Sequence, residues 1–182
     1  MEIKLNILKP FFEDPDREFN VRELSRIVKI NHTTVRKYLN TLVKEGILQK
    51  KKGQVYSNYA IVLSKKYLNL KLYYNFEKIR KSNIIEYSQK EFDFPVIVLF
   101  GSYAKAKDTK KSDIDICIIS NIKKDLNLKS FQLVLDKSVN IHPFTKKEFE
   151  NLKKKSPELV NNIANGIVLE GELEIIWTLK KV

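Results

Sequence analysis

Two aspartates, Asp113 and Asp115, stand two residues apart in an apolar run, within "LFGSYAKAKDTKKSDIDICII". Residues two apart on a strand share a face, so the spacing predicts that both carboxylates project together while Ile114 and Ile116 enter a core. Neighbouring carboxylates repel, and an apolar setting raises that cost. A shared divalent cation resolves the conflict, and Mg²⁺ suits carboxylate oxygens supplemented by water and phosphate oxygens. Upstream, Gly101 permits a tight turn after a strand, and Ser102 opens the next helix with a hydroxyl and free N–H groups able to hold a phosphate. Phosphate grip and metal grip at one sheet end form an arrangement for attack on the α-phosphate of a nucleoside triphosphate, with pyrophosphate leaving. A solvated acidic β-turn is the plainer alternative, and the apolar residues on both sides argue against it.

The surrounding pattern predicts the scaffold. After Pro95 comes an unbroken apolar strand, "VIVLF", then the Gly-Ser turn, a short helix over "YAKAK" and a second strand in "DIDICIIS". A third strand is predicted around Val139–Phe144, followed by helices over "KKEFENLKKK" and "PELVNNIANG". These make a small α/β sandwich over residues 93–182. Before it, residues 63–92 lack Gly and Pro and predict two helices, the second starting at Ser82 or Asn83, with Leu68, Leu72, Phe76 and Ile79 as a core stripe. They are expected to connect the flanking domains stiffly and to pack on the C-terminal one.

The words "LFGSYAKAK" and "SDIDI" together resemble the nucleotidyltransferase superfamily related to DNA polymerase beta, whose signature is Gly-Ser, about ten residues, then Asp-X-Asp. They look most like the minimal nucleotidyltransferases of archaea and bacteria, over roughly Phe94 to Leu169. The resemblance implies Asp113 and Asp115 as catalytic metal ligands for Mg²⁺. It implies Gly101, Ser102, Lys105 and Ser112 as the grip on ATP or another nucleoside triphosphate. It implies a third carboxylate from a neighbouring strand, and the matching strand here is "SVNIHPF". Asn140 takes that place, a shift of two would put His142 there, and Asp136 is the substitute in another register. Asn can coordinate a metal but cannot accept a proton. The family often has Arg-Gly where this chain has Lys105 and Ala106, and Lys meets phosphate as a point charge rather than a fork.

Residues 1–62 read differently. "MEIKLNILKPFFED" predicts a short helix. "NVRELSRIVKI" predicts a second, with Asn20 as N-cap, a capping-box partner in Glu23, and Val21, Leu24, Ile27 and Val28 at helical spacing. "NHTTVRKYLNTLVKEGIL" predicts a third, with Val35, Tyr38, Leu39, Leu42 and Val43 inward and Gly46 as its stop. A hairpin follows, with Lys51–Gly53 at the turn and Val55, Tyr56 and Tyr59 in the returning strand. Helix, turn, helix and basic hairpin is the layout of a winged helix-turn-helix. Phe19 to Ala60 closely resembles winged-helix domains of archaeal and bacterial transcription regulators. The outward face of the third helix would carry His32, Thr33, Thr34, Arg36, Lys37, Asn40 and Thr41 toward DNA. Lys50, Lys51 and Lys52 of the wing would meet phosphates. Use of the same unit only for protein contacts is the alternative.

The chain of 182 residues carries 34 Lys and Arg against 22 Asp and Glu, a net charge of +12, which suits a polyanion partner. Its one cysteine, Cys117, excludes an internal disulfide or thiolate zinc site and reads as a small buried hydrophobe. No apolar run approaches the ~20 residues of a membrane helix. The start lacks signal-peptide features, so a cytoplasmic protein is expected. The whole predicts an α+β protein: a winged helix-turn-helix joined to a nucleotidyltransferase-like α/β sandwich with a short mixed sheet. Two functions fit. One is nucleotidyl transfer to an unknown hydroxyl acceptor, a protein side chain among the candidates. The other is DNA-binding regulation by a chain whose second domain senses nucleotide or mediates dimerisation. A homodimer on palindromic DNA is a further expectation.

Overall fold

Side-chain caps decide where the first helices begin. The computed structural model describes residues 2–53 and 56–173. In it α1 spans Glu2–Glu13, β1 Phe19–Asn20, α2 Val21–Val28 and α3 His32–Lys44. The Asn20 side chain accepts a hydrogen bond from the Glu23 N–H at 2.9 Å, as the sequence predicts. The Glu23 carboxylate does not close the predicted capping box; it pairs with Arg17. Asn31 caps α3 in the same way, accepting from the Thr34 N–H at 2.8 Å. Gly46, at φ +70, turns the chain out of α3 into β2, Leu48–Lys51. The return strand β3, Asn58–Ile61, pairs antiparallel with β2 and β1, giving the sheet order β1-β3-β2.

Phe11, Phe12, Leu24, Val35, Leu39 and Leu42 form the core under this sheet, with Phe11 edge-on to Phe19 at 4.9 Å. Each such burial contributes about 1.5–3 kcal/mol. The predicted elements are present, with three differences. Ile27 is exposed rather than inward, because the face that α2 turns to the core carries Leu24, Ser25 and Val28. Tyr56 precedes the returning strand rather than lying in it, and Val55 falls outside the described residues. The two-residue strand β1 is too short to leave a periodic signal.

Helix α4, Lys65–Lys81, buries Tyr67, Lys71, Asn75 and Ile79. That face lies one position from the predicted stripe, of which Leu68, Leu72 and Phe76 are half-buried. Two of its four members are polar, so hydrophobic periodicity passes over it. Lys71 Nζ lies 3.3 Å from Asp108 Oδ2 and donates to the Asp108 carbonyl, while Asn75 Nδ2 donates to Asp108 Oδ1 at 2.8 Å. The chain forms two compact units, Met1–Glu77 with Ala106–Lys111, and Lys78–Lys105 with Ser112–Val182. The Asp108 loop thus belongs to the first unit. Residues 63–92 divide between the two: Tyr67, Leu68, Leu70 and Tyr74 join the first core, and Ile79, Ile84 and Ile85 a second.

The second unit is built on strands β4, Val96–Phe100, β5, Ile114–Ser120, β6, Val139–Thr145, and β7, Ile167–Glu170, in the order β6-β5-β4-β7. β4 is antiparallel to β5 and β7, and β6 is parallel to β5, so the sheet is mixed. Helix α5, Ile84–Glu91, precedes β4, and the single turn α6, Gly101–Ala104, follows it. The parallel return from β5 to β6 runs through α7, Lys129–Leu135, which the sequence does not predict. Pro143 is tolerated in β6 because that strand is an edge. Helix α8, Lys146–Lys155, opens with a full capping box between Thr145 and Glu148, and Pro157 starts α9, Pro157–Ala164. One core, around Ile97, Leu99, Ile114, Ile116 and Ile118, covers one sheet face; a second, around Val98, Cys117, Phe149, Val160 and Ile163, covers the other. Among the described residues no helix is long and apolar enough to cross a membrane.

Candidate active site

The pairing of β4 with β5 sets Phe100 opposite Asp115, which places the Gly101 turn beside that carboxylate. Gly101 has φ +74, and a Cβ built on it would lie 2.7 Å from Asp115 Oδ2. Only glycine meets both demands, the left-handed backbone and the close approach. Ile114 and Ile116 are buried as predicted. Asp113 stands one residue before β5, yet its carboxylate still converges with that of Asp115. Asn140 Nδ2 donates to Asp113 Oδ2 and to Asp115 Oδ1, at 3.3 Å each.

Register decides the third position. β6 runs parallel to β5 with Asn140 beside Asp115 and His142 beside Cys117. Asp136 lies before β6, as the left-handed C-cap of α7. The neutral amide of Asn140 therefore occupies the place next to the acidic pair. His142 follows on the same face, its Nε2 3.6 Å from Asp115 Oδ1 and its ring edge-on to Phe100 at 5.2 Å. That nitrogen is buried and has no hydrogen-bond partner among the described residues.

The remaining predicted residues are less concentrated. Ser102 is half-buried in α6. The Ser112 carbonyl accepts from Lys137 Nζ at 3.3 Å. Lys105 is exposed, with Nζ 3.5 Å from Asn162 Oδ1 on α9 rather than over the acidic pair. Cys117 is buried, and burial alone pushes its thiol up to about 12, so it is inert packing.

Two carboxylates meeting at one amide form a two-oxygen grip that suits a hard divalent cation. Half a turn of the Asn140 amide would add Oδ1 to it. Among the described residues no group of three or more His, Cys, Asp or Glu forms a metal cage. The residues fit an ion that takes its other ligands from phosphate and water, as Mg²⁺ does.

In the first unit, Thr33, Arg36, Lys37 and Asn40 are exposed on α3, while Thr34 is half-buried beside its cap. Lys50 and Lys51 are exposed on β2, and Lys52 follows in the turn. Lys51 is paired with Glu18 at 2.6 Å. Sequence reasoning overlooked Arg22, whose guanidinium donates to the Tyr56 hydroxyl at 3.0 Å and lies 5.0 Å from the centre of that ring. Only a single Arg and a single Tyr, 34 residues apart, signal this pair.

Among curated proteins none matches this chain. Two solved structures resemble it in part. Sso10a-2, a DNA-binding protein from Sulfolobus solfataricus, is 27% identical over 48% of this chain and 87% of its own, with a TM-score of 0.35. A protein of Methanosarcina mazei Go1 described as a "possible transcriptional regulator" is 24% identical over 51% of this chain and 79% of its own, with a TM-score of 0.34. TM-scores of this size do not establish a common fold. The family model "Polymerase beta, Nucleotidyltransferase" matches residues 82–172. That match takes in half of the chain and runs through the Gly101 turn, the Asp113–Asp115 pair and the Asn140 strand, so the chain belongs to the polymerase beta nucleotidyltransferase family.

Proposed function

We propose that this chain transfers a nucleoside monophosphate from ATP or another nucleoside triphosphate to a hydroxyl acceptor. Asp113 and Asp115 would hold Mg²⁺, and Gly101, Ser102, Ser112 and Lys105 the triphosphate. The convergence of both carboxylates within 3.3 Å of one atom, beside the Gly101 turn, carries this reading. When bound, Mg²⁺ neutralises charge on the triphosphate oxygens. The acceptor oxygen bonds to the α-phosphorus, the α–β bridging bond breaks, and pyrophosphate leaves with the electron pair. The acceptor proton needs a base. Asn140 cannot serve; His142 would take it, on the support that its Nε2 lies 3.6 Å from Asp115 Oδ1 and has no hydrogen-bond partner among the described residues. Incubation with α-labelled ATP and Mg²⁺ tests the reading against candidate protein, nucleic-acid and small-molecule acceptors. Label transfer that is lost in Asp113→Ala is expected. Transfer no greater than that of Asp113→Ala would reject it.

The first unit, on this reading, is a winged helix-turn-helix that binds DNA. The exposed Arg36, Lys37 and Asn40 of α3 and Lys50 and Lys52 of the wing support it. Gel shifts across a salt series should show affinity falling steeply with ionic strength, and salt-insensitive or absent binding would reject it.

A second reading rests on Asn140. An amide already bridging both carboxylates partly offsets their repulsion and adds no negative charge for a cation. This favours a DNA-binding regulator whose second unit holds nucleotide without transferring it. Nucleotide binding without label transfer would distinguish it.

A further inference from the structure

A cavity of about 320 Å³ opens in the first unit between α2, α3 and the β2–β3 hairpin. Arg22, Arg36, Lys50 and His32 line it, and none of the described residues that line it is acidic. His32, Arg36 and Asn40 are four residues apart along α3 and so share one face. Arg22 is not a loose surface cation: the Tyr56 hydroxyl and ring hold its guanidinium in place. Tyr59 forms another wall; burial pushes its hydroxyl above the ordinary value, against the opposing influence of Arg36, so it stays a neutral donor.

This chemistry selects an anion, and the cavity is far larger than one phosphate group. Its volume falls within the range of small-molecule sites, roughly 300–1,000 Å³. Two tyrosine rings offer apolar walls, and the Asn40 amide offers a donor and an acceptor for a base edge. We propose that this cavity binds a free phosphorylated nucleoside, with Arg22 and Arg36 on the phosphate, and that its occupancy excludes DNA from the same face. The exclusion follows because Arg36, Asn40 and Lys50 also belong to the proposed DNA interface. That clause alone rests on the DNA reading; nucleotide binding in the cavity does not. A phosphate of the DNA backbone shares the anion chemistry, so the test separates the two sources.

The probe is AMP, titrated by calorimetry in EDTA into the full chain carrying Asp113→Ala and Asp115→Ala, which removes the acidic pair of the second unit. One-to-one binding is expected. Arg22→Gln and Arg36→Gln should each weaken it about ten-fold or more, the value of a charged hydrogen bond. Both side chains are exposed, so the fold should survive their loss. Inorganic phosphate alone should bind at least about ten-fold more weakly than AMP, since it reaches only the charged groups. Absent AMP binding, binding indifferent to both substitutions, or phosphate binding as tightly as AMP would overturn the assignment. A labelled duplex displaced by AMP supports the exclusion, and a duplex retained at saturating AMP overturns it. A chain that takes AMP in this arginine-dependent way but no duplex keeps the pocket and rejects the DNA reading.

Discussion

Replacing Lys71 by Met should destabilise the first unit severely while leaving its shape intact. Lys71 and Asp108 are 1% and 3% exposed, their charged atoms are 3.3 Å apart, Asn75 donates to the Asp108 carboxylate and Lys71 donates to the Asp108 carbonyl. With an effective dielectric constant of about 20, opposite charges at that separation attract by about 5 kcal/mol. Met conserves the volume but leaves a buried carboxylate on a single amide donor. Removal of one partner of such a pair costs about 3–5 kcal/mol, a large part of a domain's stability. In urea, with a slope of about 2 kcal/mol per molar, the midpoint should fall by about 2 M. The two units can unfold separately, so hydrogen exchange of α4 amides should accompany the circular dichroism. Adding Asp108→Asn to Lys71→Met should recover part of the loss, because a neutral amide needs no cation. A loss under about 1 kcal/mol at unchanged slope, or a double variant less stable than Lys71→Met, would refute the claim that this buried pair depends on its opposite charges.

Gly101→Ala should weaken divalent and nucleotide binding and cost about 1–3 kcal/mol, since its Cβ meets Asp115 Oδ2 in left-handed backbone; calorimetry and thermal melting read both. Asn140→Asp adds a third carboxylate beside two, so its melting temperature should drop in EDTA and recover with Mg²⁺ beyond the shift seen for the parent chain. Cys117 should resist a thiol reagent at pH 8 in the native state and react fully in denaturant, because burial holds its thiol near 12. Asn31→Ala removes the bond to the Thr34 N–H and should cost about 1 kcal/mol by denaturation.

Local pattern and chemistry made much of this protein legible. The Asn20 cap, the inward face of α3, the apolar strand before Gly101 and the alternation around Asp113 and Asp115 each depend on neighbours a few residues away. The same spacing pointed to the paired carboxylates, which converge on the Asn140 amide. Other features needed distant parts of the chain. Whether Asn140 or His142 stands beside Asp115 turned on the register of a parallel pair, joined through a crossover that leaves no local mark. β1 and β7 are short and paired by partners remote in sequence. The buried face of α4 was read one position away, because Lys71 and Asn75 look like solvent residues until Asp108, more than thirty positions on, meets them. The Arg22–Tyr56 clamp and the cavity beside it arise only when α2 and the hairpin come together. Sequence by itself determined which residues could bind a cation or an anion, since that depends on side-chain chemistry and short spacing. Tertiary structure alone decided which of them meet, because contact between remote polar groups is set by register and packing, and neither is periodic along the chain.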